Sequence, residues 1–121
     1  EGARLSKPLI TAVHGMCFAG GLELALCGDI IIASEGTFIG QPEVARGLFA
    51  FGGGAARWSD RVGWGNAMRY LLSGDILNDQ EALRIGLIQE VVPADRLKER
   101  AIELATAIAS DASSPGSWRL T

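Results

Sequence analysis

The first hydrophobic run is short and follows a proline. Leu9, Ile10, Ala12 and Val13 flank Thr11 behind Pro8, and this predicts a strand over 7–13. His14-Gly15 signals a turn, and Ala19-Gly20-Gly21 opens a helix over 21–27 carrying Leu22, Leu24, Ala25 and Leu26, with Gly28 as its stop. Ile30-Ile31-Ile32-Ala33 reads as a second strand, Ser34-Glu35-Gly36 as a turn and 37–39 as a short third strand. Helices are predicted over 54–62 and 65–72. Asn78, with Glu81 three residues later, has the form of a capping box on a short helix that ends at Gly86. A strand over 87–92 is stopped by Pro93. Over 95–110, Leu97, Ala101, Leu104, Ala105 and Ile108 recur at helical spacing with charges between them. Strands thus dominate the first third and helices the rest, an α/β class with its helices toward the C-terminal side.

Composition narrows the function. Hydrophobic residues make up 48% of the 121 positions, enough for a core, and the net charge is −3 with no basic stripe, which argues against nucleic acid. No apolar run approaches the roughly 18 residues of a membrane span. Nothing over 1–7 reads as a signal peptide, and the chain is expected to be cytoplasmic. Cys17 and Cys27 are expected to be two buried free thiols, too few for a disulfide framework or a metal site.

A few positions could carry chemistry. The small residues Ala19, Gly20 and Gly21 precede a helix whose first N–H groups have no partner within the helix, so the turn could hold an anion, or simply be tight. Glu23 lies one turn further along among leucines and alanine. It is either a partly desolvated carboxylate suited to exchanging protons or a charge on a solvent-facing stripe. Glu43 follows Pro42, whose ring restricts the local backbone and could aim the carboxylate; an ordinary loop charge is the alternative. Gly52-Gly53-Gly54 before Arg57 reads first as a structural turn, and Arg57 as an ion-pair partner. His14 is the only histidine, and no nucleophile motif assembles a triad around it.

Taken in order, these segments resemble the crotonase (enoyl-CoA hydratase/isomerase) superfamily. Residues 7–15 (KPLITAVHG) resemble its KP(V/I)IAAVNG strand, 16–25 (MCFAGGLELA) its xALGGGxELA turn and helix, and 38–43 (FIGQPE) its FGxPE corner. Residues 29–33 (DIIIA), 71–75 (LLSGD) and 82–88 (ALRIGLI) continue the match. Each motif is loose, but the ordered set is specific.

The resemblance implies a partial crotonase-like ββα spiral with C-terminal helices. It implies Gly20 as an oxyanion donor to a thioester carbonyl, with Glu23 and Glu43 holding water between them. It also places Ala19, Gly21, Pro42, Phe49, Phe51 and Gly52 along the substrate. Isomerases of the family typically keep only the Pro-Glu carboxylate, so the presence of both favours hydration of an enoyl-CoA. No metal or redox cofactor is implied, since coenzyme A arrives with the substrate, and a homo-oligomer, a trimer or a dimer of trimers, is expected.

Departures from the pattern fall at Ala19, at Gly28 and at Leu48-Phe49-Ala50-Phe51, which stands where many members have an IPG segment and bears on the acyl pocket. Residues 1–121 are expected to form the middle part of a crotonase-fold domain, without its N-terminal half or its trimerisation helices. The alternatives are an isomerase or dehydratase acting on another CoA ester, and a catalytically inactive structural or CoA-binding module.

Overall fold

A computed structural model describes residues 7–42 and 54–111. The elements run β1 (Ile10–Val13), β2 (Met16–Phe18), α1 (Ala19–Ala25), β3 (Ile30–Ser34), β4 (Phe38–Gly40), α2 (Gly54–Val62), α3 (Trp64–Ser73), β5 (Leu77–Asn78), α4 (Asp79–Ile85), β6 (Glu90–Val92) and α5 (Leu97–Asp111). A 3-10 turn, Ala94–Arg96, leads into α5. Among the described residues no helix is long and apolar enough to cross a membrane.

The chain advances as strand, strand, helix. The first strands of successive units stack in one parallel sheet, β1-β3-β6, and the second strands in another, β2-β4-β5. In the second sheet β2 and β4 are parallel and β5 closes antiparallel to β4. Parallel neighbours need a crossover, and α1 lies in the connections from β1 to β3 and from β2 to β4. This is the α/β spiral, with helices after it, that the sequence implied. β3 has neighbours on both sides, which suits its unbroken Ile30-Ile31-Ile32-Ala33 run: residues 31 to 34 are all buried. The core joins Leu22 of α1 and Ile31, Ile39, Leu77 and Leu87 from the sheets and loops to Trp58 of α2 and Leu71 of α3.

Several boundaries differ from expectation, each for a local reason. The strand expected over 7–13 pairs only from Ile10. Just before it, the Leu9 N–H donates to the Asp29 carboxylate at 2.8 Å and the Asp29 N–H donates to the Leu9 carbonyl at 2.7 Å. Residues 16–18, expected to be part of a turn, form β2, and the helix begins at Ala19 rather than Gly21. The third strand slides by one because Thr37, fully buried, turns its hydroxyl back to donate to the Ser34 carbonyl at 2.7 Å.

The strand expected over 87–92 is only Glu90–Val92. Gly86, at φ 88°, ends α4 in the left-handed conformation. The N–H groups of Gly86 and Leu87 then return to the carbonyls of Leu83 and Ala82, the Schellman pattern, and are lost to any ladder. Asn78 does cap α4, accepting from the Glu81 N–H at 2.8 Å. The reciprocal half of a capping box does not form, because the Glu81 carboxylate is held by Arg84 and by Tyr70, whose hydroxyl donates at 2.5 Å. Of the two thiols expected to be buried, Cys17 is buried and Cys27 is exposed, because Cys27 lies past the last turn of α1 on its outer side; both are free.

On the far side, α5 packs across β1 and is tied to β6 by a two-pronged pair: Arg100 donates to the two Glu90 oxygens at 2.7 and 2.9 Å. An apolar groove of about 690 Å³ remains between β1 and α5, lined by Ile10, Ala12, Ala101, Ile102 and Ala105 among others.

Candidate active site

The site begins at the ends of two short parallel strands. β2 and β4 pair in the register Met16 to Phe38, Cys17 to Ile39 and Phe18 to Gly40. Phe18 is followed at once by Ala19-Gly20-Gly21, and Gly40 by Gln41-Pro42. Parallel pairing therefore delivers both segments to the same sheet edge, beyond the carboxyl ends of the strands, where α/β folds place ligands.

At that edge α1 starts with its amides open. Phe18, in the N-cap position, makes no side-chain cap, and the first turn carries no acidic residue. The N–H groups of this turn lack carbonyl partners within the helix and lie at its positive end. Gly20 and Gly21 are exposed, and a Cβ built on either meets nothing within 4 Å. Ala19 is held at φ 49°, the one described residue other than glycine with positive φ. For an alanine this is strained backbone, and such strain gathers at functional sites.

Glu23 sits three residues beyond Gly20, and residues at that spacing lie on one helix face. Leu22 and Ala25 turn inward, Leu24 is exposed, and Glu23 lies half-buried between the two faces. Among the described residues, no donor or cation pairs with its carboxylate. Its backbone carbonyl accepts from the Cys27 thiol at 3.5 Å.

Gln41 connects the two segments. It is 3% exposed, and its side-chain Nε2 donates to the Ala19 carbonyl at 3.2 Å. Pro42, half-buried, follows it. The arrangement thus brings together Ala19, Gly20, Gly21 and Pro42 from among the sequence-expected site residues, with Glu23 one turn further along α1. Glu43, Phe49, Phe51 and Gly52 lie outside the described residues.

Gln41 itself is the residue that sequence reasoning passed over. A polar side chain between a strand and a proline carries no periodic signal, and only the fold shows it to be buried. His14 lies exposed at the β1–β2 turn. Burial pushes the Cys17 thiol above its usual range, which removes it as a nucleophile.

The family model for enoyl-CoA hydratase/isomerase matches residues 3–115, nearly the whole chain. The chain belongs to the enoyl-CoA hydratase/isomerase family. A probable enoyl-CoA hydratase of Rhizobium meliloti is 44% identical over 108 residues, covering 89% of this chain and 42% of that protein. A mevalonyl-coenzyme A hydratase of Aspergillus fumigatus is 42% identical over 118 residues, covering 98% of this chain and 43% of that protein. Among solved structures, a probable enoyl-CoA hydratase/isomerase from Mycobacterium abscessus superposes with a TM-score of 0.83 at 48% identity, covering 90% of this chain and 42% of that one. This enoyl-CoA hydratase/isomerase chain therefore spans about two fifths of the length of the relatives it matches, 42% and 43% of the two curated ones.

Proposed function

We propose that this protein is an enoyl-CoA hydratase-type lyase, adding water reversibly across the 2,3 double bond of an acyl-CoA thioester. The observation that carries the reading is the parallel pairing of β2 with β4. It brings the Gly20 turn and Pro42 to one sheet edge, with Glu23 further along the same helix, and so supports a single site there.

Hydration of a conjugated thioester puts hydroxyl on Cβ and a proton on Cα, with negative charge gathering on the thioester oxygen between the two. The Gly20 N–H answers that charge, since an amide already aimed at a helix N-terminus needs no reorganisation. Glu23 polarises the water and Glu43 relays the proton to Cα. Glu23 is half-buried and meets no donor or cation among the described residues, which suits this role, because a salt-bridged carboxylate would be a poorer base.

In this reading Ala19, Gly21 and Pro42 line the thioester end, and the family resemblance assigns Phe49, Phe51 and Gly52 to the substrate as well. Free thiols at Cys17 and Cys27 support a cytoplasmic protein. Exposed Trp64 and Leu72 on α3 support assembly into a homo-oligomer, a trimer or a dimer of trimers.

The test is hydration of crotonyl-CoA by the protein expressed from its full gene, followed by loss of the conjugated thioester's absorbance. Glu23→Gln, which keeps shape and removes the base, is expected to lower kcat by roughly 10²–10⁴-fold. Unchanged hydration in that variant ends the assignment. Migration of the double bond without uptake of water, carried by the Pro42-Glu43 corner alone, replaces it with an isomerase.

A further inference from the structure

The peptide unit between Ala19 and Gly20 contributes at both of its ends. Its N–H is the Gly20 donor of the proposed oxyanion site. Its carbonyl, that of Ala19, accepts the hydrogen bond from Gln41 Nε2 at 3.2 Å. None of the described peptide bonds is cis, so this unit is planar and trans, with N–H and C=O pointing in opposite directions. Whatever fixes the direction of the carbonyl therefore fixes the direction of the donor.

The surroundings call for such a clamp. Ala19 is at φ 49°, a region L-residues leave readily unless held. No side chain caps the turn from the Phe18 side. A Cβ at Gly20 or Gly21 would meet nothing within 4 Å, so packing does not restrain the glycines either. Gln41 itself is well anchored: it is 3% exposed and directly follows Gly40, which is paired with Phe18 in the β2–β4 ladder.

We propose that Gln41 is a positioning residue for the reaction, holding the Ala19–Gly20 peptide with its N–H aimed at the thioester oxygen. A hydrogen bond to the carbonyl of an amide also polarises its N–H, so the same contact strengthens the donor as well as aiming it. In this role Gln41 acts through the peptide plane. The inference rests on the hydratase reading, because it gives Gly20 the oxyanion role.

The experiment uses the protein expressed from its full gene and a chromophoric probe, a cinnamoyl-CoA thioester with a para-dimethylamino group. Polarisation of the carbonyl at the oxyanion site shifts the absorbance of such a push–pull thioester to longer wavelength. Gln41→Met keeps the volume and loses the donor. The expected result is at least a halving of the bound probe's red shift, a fall of roughly tenfold in kcat for crotonyl-CoA and a KM within about twofold of wild type. Gln41→Asn keeps an amide but draws it back by one methylene, and carries the same test should the apolar variant not fold.

A full red shift and unchanged kcat in whichever variant folds overturn the role of Gln41 and leave the hydratase reading standing. A wild-type protein that binds the probe without any red shift removes the hydratase reading first, and this inference with it.

Discussion

Gly28 shows how closely one position can be specified. A Cβ built there lies 2.0 Å from the Thr11 hydroxyl and 3.0 Å from the Thr11 Cβ, and its own carbonyl accepts from Arg61. The glycine is set by close approach between the end of α1 and strand β1, since its φ is not positive. This accounts for the departure from the family pattern at Gly28: Thr11 occupies the space a side chain would need. Gly28→Ala is expected to destabilise by about 2 kcal/mol through overpacking, measured by urea unfolding. Adding Thr11→Ala is expected to recover part of that loss, and a strictly additive double mutant would count against the contact as its cause. Ala19 is a different case, because its left-handed φ is a backbone demand that no pattern of hydrophobic positions reveals.

Helices α3 and α4 are joined by a charged knot. Glu81 is gripped by Arg84 through both oxygens and takes a hydrogen bond from Tyr70, whose ring lies under Arg69 at 4.9 Å. The Arg84 hydrogen bonds first, then that of Tyr70, hold the Glu81 carboxyl down at about 2 from a usual 4.5. A depressed carboxyl pKa gives stability that is present above the usual value and is lost as pH falls through the folded one. The melting temperature is therefore expected to drop as pH falls from about 4.5 toward 2, and Glu81→Gln should flatten that acid limb. A limb of unchanged slope in the variant would assign the acid loss to other carboxylates.

Legibility follows the same physics. Helix α4 could be read closely, because Asn78 and Gly86 are chemical signals tied to specific backbone geometry. The central strand could be read from its run of β-branched residues. Strands β2 and β5, of three and two residues, could not, since neither is long enough to show an alternation. The place of Gly20 and Glu23 on one short helix was legible from their motif, whereas the Gln41 bond is long-range and leaves no local trace.

At the scale of the whole molecule the core hinges on Trp58. It is 0% exposed, and its ring lies 6.2 Å from that of Tyr70 at an interplanar angle of 28°, joining α2 to the α3–α4 knot and to the sheets. Trp58→Ala is expected to destabilise by roughly 3–5 kcal/mol, a large share of the total stability of an ordinary domain. Chemical denaturation checks this, and a loss below about 1 kcal/mol would show that the ring is not central to the packing. Trp58 belongs to the core and not to the Gly20 turn, so loss of stability and loss of activity should separate: Trp58→Ala is expected to weaken the fold, and Glu23→Gln to lower turnover in a fold that stays intact.

The pairing of Phe18 with Gly40 also makes the chain a ruler. From those two paired residues onward, the location of each later group is a matter of counting. One extra codon between Gly20 and Glu23 would swing the carboxylate about 100° around the helix axis, far from any water it could share. Divergence of this protein should therefore proceed by exchanging side chains within 18–23, since a single inserted or deleted residue there would break the proposed site while leaving its strands in place.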